Sequence, residues 1–597
     1  MLYKHLALLI RDRVASNGSK TALRFKNQVS RSWVDISYNE MGKAIDNIAK
    51  SLIDDDVKPK NTIGIFSRNM PEWSISDFAI MSVGAVTIPI YPTDSAAQTA
   101  YIIRETEMKI IFVGEQEQYD KVLQVISDDT LPVKMVVFDD SVDLRNNSYA
   151  TYFRQYFQLG EALRSDRLNN RLANVSVDDI ATILYTSGTT GEPKGVILSH
   201  SNFTNTLYNH DVLLDGLKGN EVSLSFLPLS HIFERAWSIY CLHKGIQVNC
   251  LLNPKDVIDG LKEVKPHIMC AVPRFFEKTY HVVMEKVESS SPLKKKLFHW
   301  AVAVGAKVMD LKRQELPVPM IDSVRHAIAD KLVLKSGRAA FGGNIIFFPC
   351  GGAMLPNHIN QFFHSVGVNI KYAYGLTEAC ASVTVFRDTG FKFGTVGKPL
   401  PNVEVKIGEN NEILLRSKSL FQGYYKKPEE TAESFENGWF KTGDAGEIDE
   451  DGCLIMKERI KDLIKTSSGK FIAPQQIESM IGNDPYVEHV MAIGDNRKFL
   501  SALIVPNFSL LEKYAREMNI RFSNRDELLK NSQIVKFFEE RVHAIQEVLA
   551  NYQRVKKFAL LNAEFSIPGG EFTSTLKTRR GFVLQKYSDI IERMYRE

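Results

Sequence analysis

Apolar positions along the chain fall into two rhythms, and the alternation lays out the elements. From Leu2 to about Val175, strand-like runs such as TIGIF and KIIFV alternate with stretches of helical periodicity. That alternation predicts βαβ units around a parallel sheet. The same texture continues through VSLSFLPLS, IQVNCLL, PHIMCAVP, NIIFFPCGG and NIKYAYG. One long helical interruption breaks it, SSSPLKKKLFHWAVAVGAKVMDLKRQELP. There Leu293, Leu297, Ala301, Val304 (or Gly305), Val308 and Leu311 fall near one face. Beyond Pro401 the rhythm becomes a β-meander, VEVKIGENNEILLRS, with a turn at GENNE. A turn-rich β segment and a charged, helix-rich tail follow. The expected fold is therefore α/β: a large N-terminal part of α/β subdomains plus a β-rich subdomain, then a small α+β C-terminal domain. We place the boundary so that the domains run 1–459 and 460–597.

Composition narrows the classes. A chain of 597 residues exceeds one ordinary domain. Its net charge of +3 gives no ground for expecting nucleic acid. The six cysteines are scattered without a CxxC pair, which suggests a reducing compartment and no disulfide or zinc scaffold. The first twenty residues read as an amphipathic helix, not a signal peptide. No run reaches the roughly 18 apolar residues of a membrane span. The expected location is cytoplasmic. Residues 294–300, where Lys294, Lys295 and Lys296 stand beside Leu297, Phe298 and Trp300, read either as a surface helix packed on the core with a solvated lysine cluster or as a peripheral membrane contact.

Chemistry concentrates in a few short blocks. In ILYTSGTTGEPKGVILSH an apolar run ends abruptly in hydroxyls and glycines, and a second β-branched run follows. Gly188, Gly191 and Gly195 free the backbone. Thr186, Ser187, Thr189 and Thr190 add hydroxyl donors, and Lys194 adds charge. Such a loop between two strands can wrap a polyphosphate. It is not a P-loop, because Lys194 follows Gly191 by three and precedes Gly195.

YTSGTTGEPKGV resembles the phosphate loop of the adenylate-forming, AMP-binding synthetases, and the resemblance runs through nearly the whole chain. It is closest to bacterial long-chain fatty acyl-CoA synthetases. The resemblance implies roles for the later blocks. In FLPLSHIFERAW, His231 would sit beside the carboxylate and the α-phosphate. In VPRFFEK, Arg274 and Glu277 belong to the same long-chain branch, or form only a structural ion pair. In FPCGGAMLP, Gly351, Gly352 and Ala353 would lie against adenine. In KYAYGLTEACASV, Ala373, Tyr374 and Gly375 belong to the nucleotide site. Tyr374 would contact adenine, Thr377 the α-phosphate, and Glu378 a Mg²⁺ ion, which binds few protein groups. Asp444 in GWFKTGDAGEID and Arg459 in KERIKDLIK would hold the ribose. Lys461 would be the hinge of a mobile C-terminal domain, and Lys465 would serve the second half-reaction. Lys577 in TSTLKTRR would meet the carboxylate and phosphate oxygens during adenylation.

The implied function is ATP-dependent ligation of a long-chain fatty acid to coenzyme A through an acyl-adenylate, releasing AMP and pyrophosphate. Fatty acid, ATP and coenzyme A are the expected partners, with Mg²⁺ as cofactor. Two alternatives stay open: an acyl-AMP ligase that feeds a carrier protein, and a membrane-associated uptake protein with secondary ligase activity. Chain-length preference and oligomeric state are not encoded in any local motif.

Overall fold

The computed structural model describes residues 4–129, 133–186, 193–467, 470–573 and 578–596. Its largest sheet has eight strands. From one edge to the other they are Gly423–Tyr424, Lys194–Ser199, Ile180–Thr186, Val86–Ile90, Thr62–Phe66, Ile110–Val113, Lys134–Val137 and Ala150–Tyr152. All the pairings from Ile180–Thr186 to Ala150–Tyr152 are parallel. The alternation of side chains explains why these strands read as unbroken apolar runs. Ile110 and Phe112 join the core on one face, Ile111 and Val113 the core on the other. A parallel sheet covered on both faces needs apolar residues at every position.

A second sheet pairs Val222–Ser225 with Gln247–Cys250 and Thr21–Lys26, all parallel, and ends on antiparallel Trp33–Ser37. Next to it in sequence, Phe348–Cys350 runs parallel to Ile370–Tyr374. The meander forms as expected: Val403–Ile407 turns into antiparallel Glu412–Ser417 and continues to Trp439–Ile448 and Leu454–Arg459. The C-terminal part has its own three-stranded sheet, Val487–Ile493, Leu500–Pro506 and Val555–Leu560, and a small hairpin, Ile464–Lys465 with Phe471–Ile472.

The apolar cores are separate. One extends from Leu6 to Leu454, and another from Ile464 to Met594. The molecule is thus a large N-terminal and a smaller C-terminal α/β body. Polar contacts join them. The Arg274 guanidinium donates to the Glu488 backbone carbonyl and carboxylate, both at 3.0 Å. The Glu458 carboxylate accepts from the Gln475 backbone N–H at 2.8 Å, at the N-terminus of the Pro474–Gly482 helix. Arg274 lies 3.4 Å from Glu277 as well, so the intra-motif ion pair exists but is only half of what this arginine does.

The helical interruption is a 22-residue helix, Pro292–Arg313, and its buried residues lie on the expected face. Ala301, Gly305 and Val308 are buried, whereas Leu293 is exposed. The approach is close: a Cβ on Gly305 would stand 2.1 Å from the Ser365 carbonyl oxygen. The helix therefore turns Gly305 to the neighbouring Asn357–Ser365 helix, and Leu293 lies beyond that contact. Phe298 leans on Phe362 of the same helix, with ring centroids 6.2 Å apart.

Candidate active site

The glycine-rich block is a β-hairpin. Thr186 ends one strand and Lys194 begins the other, paired across the ladder. Ser187, Gly188, Thr189, Thr190 and Gly191 lie outside the described residues, as does Lys577. A third, very short strand docks on this hairpin, with Gly423 opposite Ile197 and Tyr424 opposite Val196. That pairing places the Tyr424 ring under the Lys194 ammonium, 5.2 Å from its centroid. Lys194 also forms an ion pair with Glu430. Sequence reading passed over both Tyr424 and Glu430. A tyrosine in GYYKKP carries no local mark of its partner 230 residues away.

Tyr424 links the hairpin to the next block. Its hydroxyl donates to Glu378 Oε1 at 3.0 Å, and the Phe421 N–H donates to the Glu378 carbonyl at 2.7 Å. Glu378 lies in a single 3₁₀ turn, Thr377–Ala379, directly after the Ile370–Tyr374 strand. Loss of water raises its pKa above the usual carboxylate range. The Tyr424 hydroxyl and the Arg459 charge pull it down, and Asp444 pushes it up. Glu378 therefore senses the charges of both Arg459 and Asp444.

Gly375 makes that turn. A Cβ there would come within 1.5 Å of the Ala381 carbonyl oxygen. The neighbouring strand Phe348–Cys350 ends in Gly351, whose added Cβ would lie 3.0 Å from the Ala373 carbonyl oxygen, and in Gly352 at φ +89°. The Tyr372 hydroxyl donates to the Ala353 carbonyl at 3.1 Å and accepts from the Leu355 N–H at 2.9 Å. Two loops thus leave the carboxyl ends of adjacent parallel strands and are tied together there. In open α/β sheets that is where ligands bind.

Asp444 and Arg459 face each other across the Trp439–Ile448 and Leu454–Arg459 ladder. Arg459 Nε is 3.5 Å from one carboxylate oxygen of Asp444, and the Tyr374 hydroxyl donates to the other at 2.6 Å. The Asp444 N–H donates to the Thr442 hydroxyl at 3.1 Å. The carboxylate is buried and aimed. Burial, then the Asp444 charge, raise the Tyr374 phenol far above its ordinary pKa, so it remains a donor.

His231 caps the Ile232–Lys244 helix. Its Nδ1 accepts from the Phe233 N–H at 3.1 Å, which fixes the neutral ring with its proton on Nε2. The Tyr91 ring, after the Val86–Ile90 strand, is 6.4 Å away. Four residues on, Arg235 is buried. It forks onto Asp77 at 2.6 and 2.9 Å, donates to Thr182 at 2.7 Å, and lies between the Trp73 and Phe203 rings. This arginine ties the helix carrying His231 to the strand that leads into the glycine-rich hairpin.

The structure thus joins Lys194, Tyr374, Glu378, Asp444 and Arg459, with Gly351, Gly352, Ala353, Ala373, Gly375 and Thr377, into one cluster of contacts and shared strand ends. Lys465 stands apart, exposed on the C-terminal hairpin, with its N–H on Asp495. Lys461 lies in the 3₁₀ turn Ile460–Asp462 between the two bodies.

Comparison with known proteins decides the family. The AMP-binding enzyme model matches residues 10–425, and the AMP-binding enzyme C-terminal domain model matches residues 461–597. The chain belongs to the AMP-binding enzymes. A long-chain-fatty-acid–CoA ligase of Mycobacterium bovis, FadD15, is 31% identical over 96% of this chain and 94% of its own length. Long chain acyl-CoA synthetase 4 of Arabidopsis thaliana is 30% identical over 94% of this chain and 86% of its own. Among solved structures, the adenylation domain of a Mycobacterium chelonae carboxylate reductase superposes with a TM-score of 0.79 at 20% identity, covering 99% of this chain and 91% of that one. The o-succinylbenzoate–CoA synthetase of Bacillus subtilis, solved with ATP and magnesium, gives 0.66 at 19% identity, with 96% and 98% covered. Family and relatives together make this AMP-binding enzyme an AMP-forming acid–thiol ligase.

Proposed function

We propose that this AMP-binding enzyme joins a long-chain fatty acid to coenzyme A in two steps, through an acyl-adenylate. The observation that carries the reading is the aimed Asp444 carboxylate, held by Tyr374 and faced by Arg459, in one cluster with Glu378 and Lys194. A carboxylate with both oxygens already oriented suits the two hydroxyls of a ribose. Gly351, Gly352, Ala353, Ala373, Tyr374 and Gly375 would flank the adenine, with Thr377 toward the α-phosphate. Lys194, Thr186, Ser187, Gly188, Thr189, Thr190 and Gly191 would hold the outer phosphates. The ammonium of Lys194 now on Glu430 would turn to them.

In the first step the fatty carboxylate attacks the α-phosphorus and pyrophosphate leaves. His231 would face the carboxylate through Nε2–H, and Lys577 would stabilise charge on the bridging oxygen. Glu378 suits Mg²⁺: its buried carboxylate, held by the Tyr424 hydroxyl, offers hard oxygen donors, and Mg²⁺ asks for only one or two carboxylates beside substrate phosphates. When bound, the ion would neutralise charge on the phosphates. In the second step the thiol attacks the acyl carbon and AMP leaves. Lys465 is exposed in the orientation seen, so its use requires the domain 460–597 to turn on 1–459 about Lys461. Two separate cores joined by polar contacts make such a turn inexpensive, because each contact broken can be replaced by water.

The test is purified protein with ATP, Mg²⁺, coenzyme A and fatty acids of increasing length, with pyrophosphate and acyl-CoA measured separately. The reading expects both products in equal amounts, with a maximum at long chains. Pyrophosphate without acyl-CoA, and acyl transfer only to a phosphopantetheinyl carrier protein, would make the chain an acyl-AMP ligase. Fatty-acid binding without pyrophosphate would favour an uptake protein.

A further inference from the structure

The helical interruption continues past Arg313 into a second helix, Met320–Ala329, followed by a π-helical turn, Asp330–Leu334, and a short helix, Lys335–Ala339. One side of this rod packs inward: Asp322 and Ala329 are buried, and Asp322 pairs with Lys307 at 2.7 Å. The other side is apolar and open. Met320 is 85% exposed, Ile321 61%, Val324 55%, Ile328 49% and Leu332 54%. Residues 321, 324, 328 and 332 follow the three-and-four spacing of a single helix face. Five large apolar side chains in a row at such exposure are not the scattered surface hydrophobics of an ordinary protein.

The charges around the stripe have one sign. Arg325, Lys331 and Lys335 are exposed among the apolar residues, and none has an ion-pair partner among the described residues. The nearby acids point away: Asp322 is buried on Lys307, and Asp330 pairs with Arg338 at 2.7 Å. Residues 292–340 hold ten lysines and arginines against four aspartates and glutamates. That is a surplus of six in a chain whose net charge is +3.

We propose that this face, residues 320–335, is a membrane-docking surface that lies in the headgroup layer of an anionic bilayer. The apolar stripe would enter the acyl boundary, and Arg325, Lys331 and Lys335 would rest on lipid phosphates. The rod is an interfacial element, since among the described residues no helix is long and apolar enough to cross a membrane. A second copy of the chain is the poorer occupant, because a two-fold contact through this stripe would bring the three cations near their own counterparts. The proposal moves the contact away from the start of the Pro292–Arg313 helix. There Leu297 and Phe298 are half-buried and Lys295 pairs with Glu288 at 2.7 Å. It stands independently of the ligase reading, because it concerns binding alone.

The experiment is co-sedimentation of the full chain with vesicles of phosphatidylglycerol and phosphatidylethanolamine, against vesicles of phosphatidylcholine, at low and high salt. Wild type should bind the anionic vesicles at low salt and release at high salt. Val324→Glu with Ile328→Glu should lower partition by about tenfold or more. Arg325→Glu, Lys331→Glu and Lys335→Glu together should lower it by about a hundredfold. Lys294→Glu, Lys295→Glu and Lys296→Glu together should leave it within about threefold. Unchanged circular dichroism and thermal midpoint would show that each variant is folded. The proposal is overturned if wild type ignores anionic vesicles or binds phosphatidylcholine as well. It is overturned equally if the stripe variant binds like wild type, if the loss follows Lys294–Lys296, or if wild type is a dimer by light scattering that the stripe variant splits.

Discussion

At the scale of single residues, two side chains carry sharp expectations. Tyr374 donates to the carboxylate of Asp444, and a hydrogen bond to a charged group contributes on the order of 1.5 to 3 kcal/mol. Tyr374→Phe keeps the ring but releases the carboxylate. The KM for ATP should rise roughly tenfold to a hundredfold, since 1.4 kcal/mol is a factor of ten, with little change in the KM for fatty acid. Steady-state kinetics with each substrate varied in turn would check this. Glu234 gives a pH signature. Its carboxyl is fully buried at the start of the Ile232–Lys244 helix, and loss of water pushes its pKa up to about 8, against hydrogen bonds from Ser225, Ser238 and Leu227 that lower it. The folded state therefore holds this proton more tightly than the unfolded state. The stability it contributes is fully present below about pH 4.5 and is lost as pH rises to about 8. At one pKa unit per roughly 1.4 kcal/mol, the loss is on the order of a few kcal/mol. Thermal melts of wild type across that window should slope downward more steeply than those of Glu234→Gln.

At the scale of elements, the turns that present the site depend on glycines with different demands. At Gly375 a Cβ would collide with the Ala381 carbonyl, whereas at Gly352 there is open space and only a positive φ. Gly352→Ala should therefore cost about 1 to 2 kcal/mol, the ordinary penalty of left-handed backbone. Gly375→Ala should cost clearly more and should disorder Tyr374 and Glu378 together. Urea denaturation of the two variants checks the ranking. These elements also show what was legible beforehand. The glycine-rich hairpin, the meander and the parallel strands could be read because their cause is local: periodicity and turn residues lie within a few positions of each other. The Asp77–Arg235–Thr182 cluster and the Tyr424–Glu378 bond could not, because they join residues 46 to 158 positions apart that carry no mark of pairing. On the Pro292–Arg313 helix the periodicity left Val304 or Gly305 open for a related reason. The close approach to Ser365, 60 positions on, selects the glycine.

At the scale of the whole molecule, the polar seam between the two bodies is where the proposed half-reactions would be apportioned. Arg274 reaches from the Pro273–Glu288 helix to Glu488 on the C-terminal sheet, and Lys278 stands 3.5 Å from the same carboxylate. This seam holds the orientation in which Lys465 is exposed, so breaking it should favour the other orientation. Arg274→Glu should shift the ratio of thioester formation to adenylation several-fold toward the former, the size expected of a partly exposed charge pair. Adding Glu488→Arg should restore the wild-type ratio. Separate assays of pyrophosphate release and of thioester formation from supplied acyl-adenylate would read it, and an unchanged ratio in the single variant would remove the seam from the account. The central claim, that the acid is activated as an adenylate, is tested most directly by oxygen transfer. With a fatty acid carrying ¹⁸O in both carboxylate positions, attack on the α-phosphorus must leave one labelled oxygen in AMP and one in the acyl-CoA. Mass spectrometry of AMP containing one ¹⁸O is the predicted result; unlabelled AMP, or label in ADP or inorganic phosphate, would contradict it.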